Sequence, residues 1–404
     1  MILAAILAAS ALFSPLERRY GDFVLNPPEL LPLGGYTARH GELMKSGGDD
    51  LHCRVTLLSR ETKLALVSVE MLTIPDSLTR EVRRRMPLGW TLFLTATHTH
   101  SAPDSQMLND RMTFGIPGIA TYRPSMLEWY ADHIAKDIAA TLTQRPSVVG
   151  PITAAITHAD ANRPRRKFGF PDQTYTVVRC PDSVLFAHYA AHATFYDADE
   201  DQTREDWPGA LAAVLKGPVL IGAIGDVSPK ASGSTPGEKI KNFVATLSNA
   251  VPVQVLQVAD HPDADPFGVV VQPISLDPKT PHPTFAKVYG IPSVLADVLV
   301  EKFAPDSASI TAFRLGRVAV VGVPGEPSSH LGRSIREYGR ALGFDSVLVV
   351  SHVNGWIGYL LGPGDYDRGG YEATLNFYGR YEGEKVVSAA DLALLHLAQR
   401  VRPL

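Results

Sequence analysis

A chain of 404 residues with 45% apolar and 20% charged side chains has the make-up of a globular protein with a real core, which excludes a disordered or fibrous chain. A net charge of −4 without any long basic run excludes nucleic acid as a partner. Cys53 and Cys180 form no Cys-x-x-Cys pair, which argues against a thiolate metal site; their apolar surroundings predict two buried free thiols, with a disulfide as the alternative.

In chain order, the opening run MILAAILAASALFSP is too short to span a bilayer. It has the look of a signal-peptide core with Ala-Ser-Ala as a small-residue cleavage region, although no Lys or Arg precedes it. We therefore expect residues 1–15 to be a signal-like segment of an exported protein, periplasmic or secreted, with a cytoplasmic protein as the alternative. Residues 16–404 are expected to form a single domain with no transmembrane span.

LALVSVE (64–70) and TLFLTAT (91–97) read as buried strands, and 125–143 reads as an amphipathic helix with Leu127, Tyr130, Ile134 and Ile138 on its apolar face. TYTVVR (174–179) is a strand; the next segment, around His188 and His192, fits either helix or strand. The acidic stretch Asp197–Asp206 reads as a solvated loop. VLIGAIG (219–225), VVVQPIS (269–275), VAVVGVPG (318–325) and SVLVVSH (346–352) are further strands. DHPDADP (260–266) reads as a solvated loop rather than a calcium site. A helix over 328–342 is capped by Ser328 or Ser329 and ended by Gly343, and a last helix runs from about Glu384 to Arg400. No internal repeat is visible. The alternation predicts an α/β fold of mixed β-sheets flanked by helices.

Polar residues gather just past strand ends: His98, Asp226, Ser228, Glu326 and Asn354. In α/β sheets the carboxyl ends of strands are where ligands bind, so an active site is expected there. In Thr-His-Thr-His (97–100), His98 and His100 share one side of an extended chain and suit zinc, but two hydrogen-bonded loop histidines fit the same letters. Of His188 and His192, one is expected to be structural. Ser228, in GDVSPK, is not the centre of a Gly-x-Ser-x-Gly elbow; it is a nucleophile, a substrate-orienting donor or a plain turn serine. Glu326 could hold a metal or sit at a helix N-terminus, where negative charge is favoured. Tyr359, Tyr366, Tyr371 and Tyr378 are further candidates in a Tyr- and Gly-rich segment.

Taken in order, THTHS, an Asn-Arg pair after a strand, a mid-chain His, GDVSP, PGEP and Asn-x-x-x-Gly-Tyr followed by Tyr-Glu resemble the catalytic domain of neutral ceramidases, from about Thr97 to Tyr378. The resemblance implies that fold and a zinc ion held by His98, His192, Glu326 and Tyr359. It further implies a reaction centre lined by His100, Arg163, Ser228 and Tyr371. Zinc would make hydroxide available at neutral pH to attack an amide carbonyl. Arg163 and Tyr371 would stabilise the oxyanion, His100 would carry the proton to the leaving amine, and Ser228 would hold a substrate hydroxyl or, alternatively, attack directly.

The chain departs from the family at Ala102, at Ser-Ser-His-Leu-Gly-Arg (328–333) and at Gly-Arg-Tyr-Glu-Gly (379–383). It also ends soon afterwards, implying a short member without the C-terminal sandwich domain. The implied activity is zinc-dependent hydrolysis of an N-acyl lipid, such as a sphingolipid, or of a smaller N-acylated compound, with peripheral membrane contact. The alternatives are a zinc or serine esterase on the same pocket, or a silent binding domain stabilised by zinc.

Overall fold

Runs rich in Val, Leu, Ile and Thr, buried almost throughout in the central strands and partly at the edges, form three mixed sheets in the computed structural model, which describes residues 15–167, 169–259 and 266–399. The opening apolar run up to Ser14 and the DHPDADP stretch up to Asp265 lie outside the described residues.

The first sheet contains β1 (Glu17–Val24), β2 (His52–Ser59), β3 (Lys63–Val69), β4 (Thr91–Ala96) and β5 (Ser147–Val148), in the order β4-β3-β2-β1-β5. The second contains β6 (Ile152–His158), β8 (Thr174–Cys180), β9 (Ser183–Tyr189), β10 (Val219–Ile221) and β12 (Gln254–Ala259), in the order β10-β9-β8-β6-β12. The third contains β13 (Phe267–Pro273), β14 (Ser309–Leu315), β15 (Val318–Gly322) and β17 (Ser346–Val350), in that order. Two short pairs complete the set: β7 (Asn162–Pro164) with β11 (Val227–Pro229), antiparallel, and β16 (Glu326–Pro327) with β18 (Tyr359–Leu360), parallel.

Each large sheet repeats one connection. An antiparallel hairpin is followed by a helix and then by an edge strand parallel to the second hairpin strand. The units are β2-β3-β4 through helix Asp76–Arg85, β8-β9-β10 through helix Asp206–Leu215, and β14-β15-β17 through helix Ser329–Ala341. The sequence shows no repeat because sheet packing demands only apolar letters with the right period, which many different sequences supply.

Every sheet presents one face to its own helices. The first packs Val55, Val67 and Leu94 against Leu127, Tyr130, Ile134 and Ile138 of helix Pro124–Thr143, on the face expected from the sequence. The opposite faces meet in a shared cluster of Leu66, Phe93, Phe186, Leu220, Phe313, Val320 and Val350. Phe313 there stands edge-on to Phe93 and Phe186, with ring centroids 5.4 and 6.1 Å away.

The three sheets are stitched together over that cluster: Ser351 N donates to Ile221 O (2.9 Å), Thr95 Oγ1 to Ser351 O (2.9 Å) and Ser68 Oγ to Val219 O (3.0 Å). The carboxyl ends of β4, β9, β15 and β17 are thereby brought to one place. The ambiguous segment around His188 is strand β9, with His192 just beyond it. Cys53 and Cys180 are buried and free, as expected. Among the described residues no helix is long and apolar enough to cross a membrane.

Candidate metal centre

His98 follows β4 in a left-handed conformation, φ +61°. Its Nδ1–H donates to Leu72 O at 2.8 Å, which leaves Nε2 as the ring's lone-pair nitrogen. His192 is fixed in the same way, Nδ1 to Val227 O at 2.8 Å. The two histidine segments are tied together by a bridge between Thr99 and Ala193 and by His100 N donating to Ala193 O. Glu326 lies on β16, opposite Tyr359 of β18 in register, so these two short strands bring carboxylate and phenol side by side. Gly225, at the end of VLIGAIG, lets that chain approach: a Cβ there would stand 2.4 Å from Glu326 O.

The donor atoms converge. Glu326 Oε2 lies 3.4 Å from His192 Nε2 and 3.7 Å from His98 Nε2, and Tyr359 Oη lies 3.5 Å from His192 Nε2. A tetrahedral zinc with bonds of about 2.0–2.1 Å holds its donors about 3.3–3.4 Å apart, so this spacing fits such an ion. Glu326 Oε1 accepts from Trp356 Nε1 (3.0 Å), whereas Oε2 is buried without a hydrogen-bond partner. A buried carboxylate oxygen left without a donor is costly unless a cation takes its lone pairs. His98, His192, Glu326 and Tyr359 could therefore hold a metal. His100 Nε2 stands 3.3 Å from His98 Nε2, close enough to join the same group.

The electrostatics suit this role. Burial pushes the pKa values of His98, His100 and His192 down, so the rings are neutral ligands at ordinary pH. Burial works to raise the Glu326 carboxyl, but His98 and His352 together with the Trp356 and Tyr359 donors outweigh it and leave the pKa low. Burial and then the Glu326 charge push the Tyr359 phenol well up.

The other sequence-derived candidates separate. Tyr371 is 56% exposed, and its ring stands 5.8 Å from that of Tyr359 at the mouth of the centre. Ser228 is half-buried, and its Oγ accepts from Arg165 Nε at 3.0 Å. Arg163 pairs in register with Ser228. It is exposed on β7 and lines a cleft of about 310 Å³ with Thr194, Phe195, Ser228, Lys230 and Lys239. Arg165, two residues on, is the arginine whose charge acts on His98, His100, His192, Tyr359 and Tyr371. The larger hollow, about 540 Å³ between β13 and the last helix, contains none of these residues.

Two strand-end residues that looked functional instead lock loops. Asp226 accepts from Ser329 N (2.6 Å) and Oγ (2.8 Å). Asn354 clamps β4 through Leu94 N (3.0 Å) and Leu92 O (2.7 Å). His188 donates to Val349 O and is structural. The acidic loop exposes Asp197 and Asp199 as expected, but its last residue corrects that expectation: Asp206 is 2% exposed and accepts from the backbone N–H groups of Phe195 and Trp207. Tyr378 is packing, its hydroxyl donating to Pro305 O, and Tyr366 is buried against His282.

Sequence reading missed Arg165, Trp356 and His352. His352 follows β17 as His98 follows β4, and that parallel was the available signal; Arg165 and Trp356 carried none beyond proximity to chosen residues.

No protein-family model matches the chain. The neutral ceramidase of Mycobacterium tuberculosis (strain ATCC 25618 / H37Rv) is 30% identical over 86 residues, a stretch that covers 20% of this chain and 14% of that protein. The crystal structure of neutral ceramidase from Pseudomonas aeruginosa superposes with a TM-score of 0.78 at 15% identity, covering 96% of this chain and 75% of that one. A ceramidase complexed with C2 gives the same TM-score and identity, covering 76% of its chain. The chain has the fold of the neutral ceramidases.

Proposed function

We propose that this protein is a zinc-dependent hydrolase of amide bonds in N-acyl compounds. The observation that carries the reading is the convergence of His98 Nε2, His192 Nε2 and the unpartnered Glu326 Oε2 within 3.4–3.7 Å. The likeness to proteins named neutral ceramidases supports an amide as the bond cut.

When bound, zinc supplies Lewis acidity and a hydroxide nucleophile near neutral pH. The Leu72 and Val227 carbonyls hold His98 and His192 in the tautomer whose Nε2 lone pair would hold the ion. Neutral His100 accepts the proton of the attacking water and returns it to the leaving amine. Arg165 and the Tyr371 hydroxyl donate to the carbonyl oxygen as charge develops on it, a contribution of roughly 3–4 kcal/mol per donor in comparable sites. Ser228 holds a substrate hydroxyl. Its hydroxyl is bonded to an arginine and to no histidine, which weighs against a serine nucleophile. Arg163 contacts substrate in the cleft, outside the reacting atoms.

Exposed Val288, Tyr289, Val294, Leu295 and Val298 give the helices Phe285–Tyr289 and Ser293–Phe303 an apolar surface. It adjoins the mouth, since Tyr289 Oη lies 3.3 Å from Thr374 Oγ1 beside Tyr371, and it favours an acyl lipid over a small polar amide. Metal analysis and hydrolysis of a panel of N-acyl substrates, ceramide included, with and without chelator, test the reading. Purified protein with no metal, or with full activity in strong chelator, would refute it.

A further inference from the structure

We propose that His352 is an additional ligand of the metal ion held by His98, His192 and Glu326. The proposal rests on the metal-site reading above.

His352 follows β17 and is 0% exposed. Neither of its ring nitrogens has a hydrogen-bond partner. A neutral imidazole carries one N–H and one lone pair, and burying both unused is costly. Other buried histidines in this fold avoid that cost: His98 bonds Leu72 O, His188 bonds Val349 O, His192 bonds Val227 O, and His282 uses both nitrogens. Among the described buried histidines, His352 alone leaves both empty.

Its position is enforced. The backbone at His352 is left-handed, φ +57°, which a non-glycine residue adopts only when its surroundings compel it. His352 N donates to Gly325 O at 3.1 Å, tying this turn to the one that carries Glu326. The ring stacks on that of His98, with centroids 4.3 Å apart and planes 19° from parallel. Donor atoms of His98, Glu326 and His352 all lie within 4.8 Å of one another.

Two orphans therefore sit together, the Glu326 Oε2 and the His352 nitrogens, and they do not bond each other. A structural histidine beside a bare carboxylate oxygen would donate to it. Both instead fit an arrangement in which a cation accepts their lone pairs. The assignment also explains why the third hairpin–helix–strand unit delivers donors from two strand ends, Glu326 after β15 and His352 after β17.

X-ray absorption of the zinc-loaded protein counts imidazoles directly. At least three are expected in the wild type, with one fewer in His352→Gln and His352→Ala. Competition with a chromophoric chelator should show zinc affinity falling by more than about 100-fold, beyond the 10- to 100-fold that losing an outer hydrogen-bond partner costs. Only two imidazoles in the wild type would overturn the proposal, and this outcome requires no variant to fold. So would variants that keep the wild-type imidazole count and bind zinc within about threefold of wild type. A second ion per chain that disappears with His352 would also overturn the shared-ion assignment. Wild-type protein that binds no metal would instead remove the functional reading on which the proposal rests.

Discussion

Replacing Glu326 by Gln should uncouple the stability of this protein from metal. In the wild type Oε1 is held by Trp356, while the unpartnered Oε2 faces His98 and His192, so that oxygen stabilises the fold only when a cation takes its lone pairs. At free zinc about 1,000 times the dissociation constant, linkage gives about 4.1 kcal/mol of stabilisation. An unfolding entropy of about 2.1 cal/mol/K per residue over 404 residues amounts to about 0.85 kcal/mol/K, so chelation should lower the wild-type midpoint by about 5 °C. A Gln amide can donate towards an imidazole nitrogen where the carboxylate oxygen cannot, and it removes an unpaired buried oxygen worth about 1–3 kcal/mol. The Glu326→Gln protein should thus melt at the same temperature with or without chelator, at or above metal-free wild type. Calorimetry of both proteins with zinc and with chelator decides the matter. A variant midpoint that drops on chelation as far as the wild type's would refute the argument.

Arg165→Met should lower kcat/KM by about 100- to 1,000-fold if its guanidinium meets the oxyanion, while Arg163→Ala should cost less than about tenfold and act mainly on KM; the reverse ranking in steady-state kinetics would restore the sequence-based choice. Ser228→Ala should raise KM for hydroxylated substrates with little loss of kcat, and mass spectrometry after rapid quenching should find no acyl-enzyme in the wild type; a trapped acyl-serine would reverse the mechanism. Asn354→Ala should destabilise the fold by at least about 2 kcal/mol, since it strands Leu94 N and Leu92 O, yet leave zinc affinity unchanged, as urea titration and chelator competition would show. Burial lowers the folded-state pKa values of His98 and His192, so the unfolded chain binds more protons as acid is added. Metal-free stability is therefore full above about pH 6.5 and falls below it, by up to about 1.4 kcal/mol per pH unit per histidine; a urea midpoint that stays flat from pH 8 to 5 would contradict the burial argument.

The sequence by itself determined most of the elements and pointed to residues that the fold gathers. Helix Pro124–Thr143 buries the apolar face its periodicity dictates, and TLFLTAT, VAVVGVPG and SVLVVSH are strands because β-branched runs bounded by polar or turn residues have few other ways to bury themselves. The motifs that resemble ceramidases located His98, His192, Glu326 and Tyr359, four residues that the structure brings within reach of one another. Only the tertiary structure could sort identical local contexts. Asp226, Glu326 and Asn354 all follow strands, yet Asp226 binds a helix N-terminus, Asn354 clamps a neighbouring strand and Glu326 keeps a bare oxygen. Arg163 and Arg165 differ by two positions and share a residue type, but the β7–β11 pairing leaves one exposed in the cleft and gives the other Ser228. His352 was a letter at the end of a strand until three sheets closed over one core and stacked its ring on His98. Periodicity and motif order are written in neighbouring letters. Which polar group is left without a partner depends on residues hundreds of positions away, and that decides where a metal can bind.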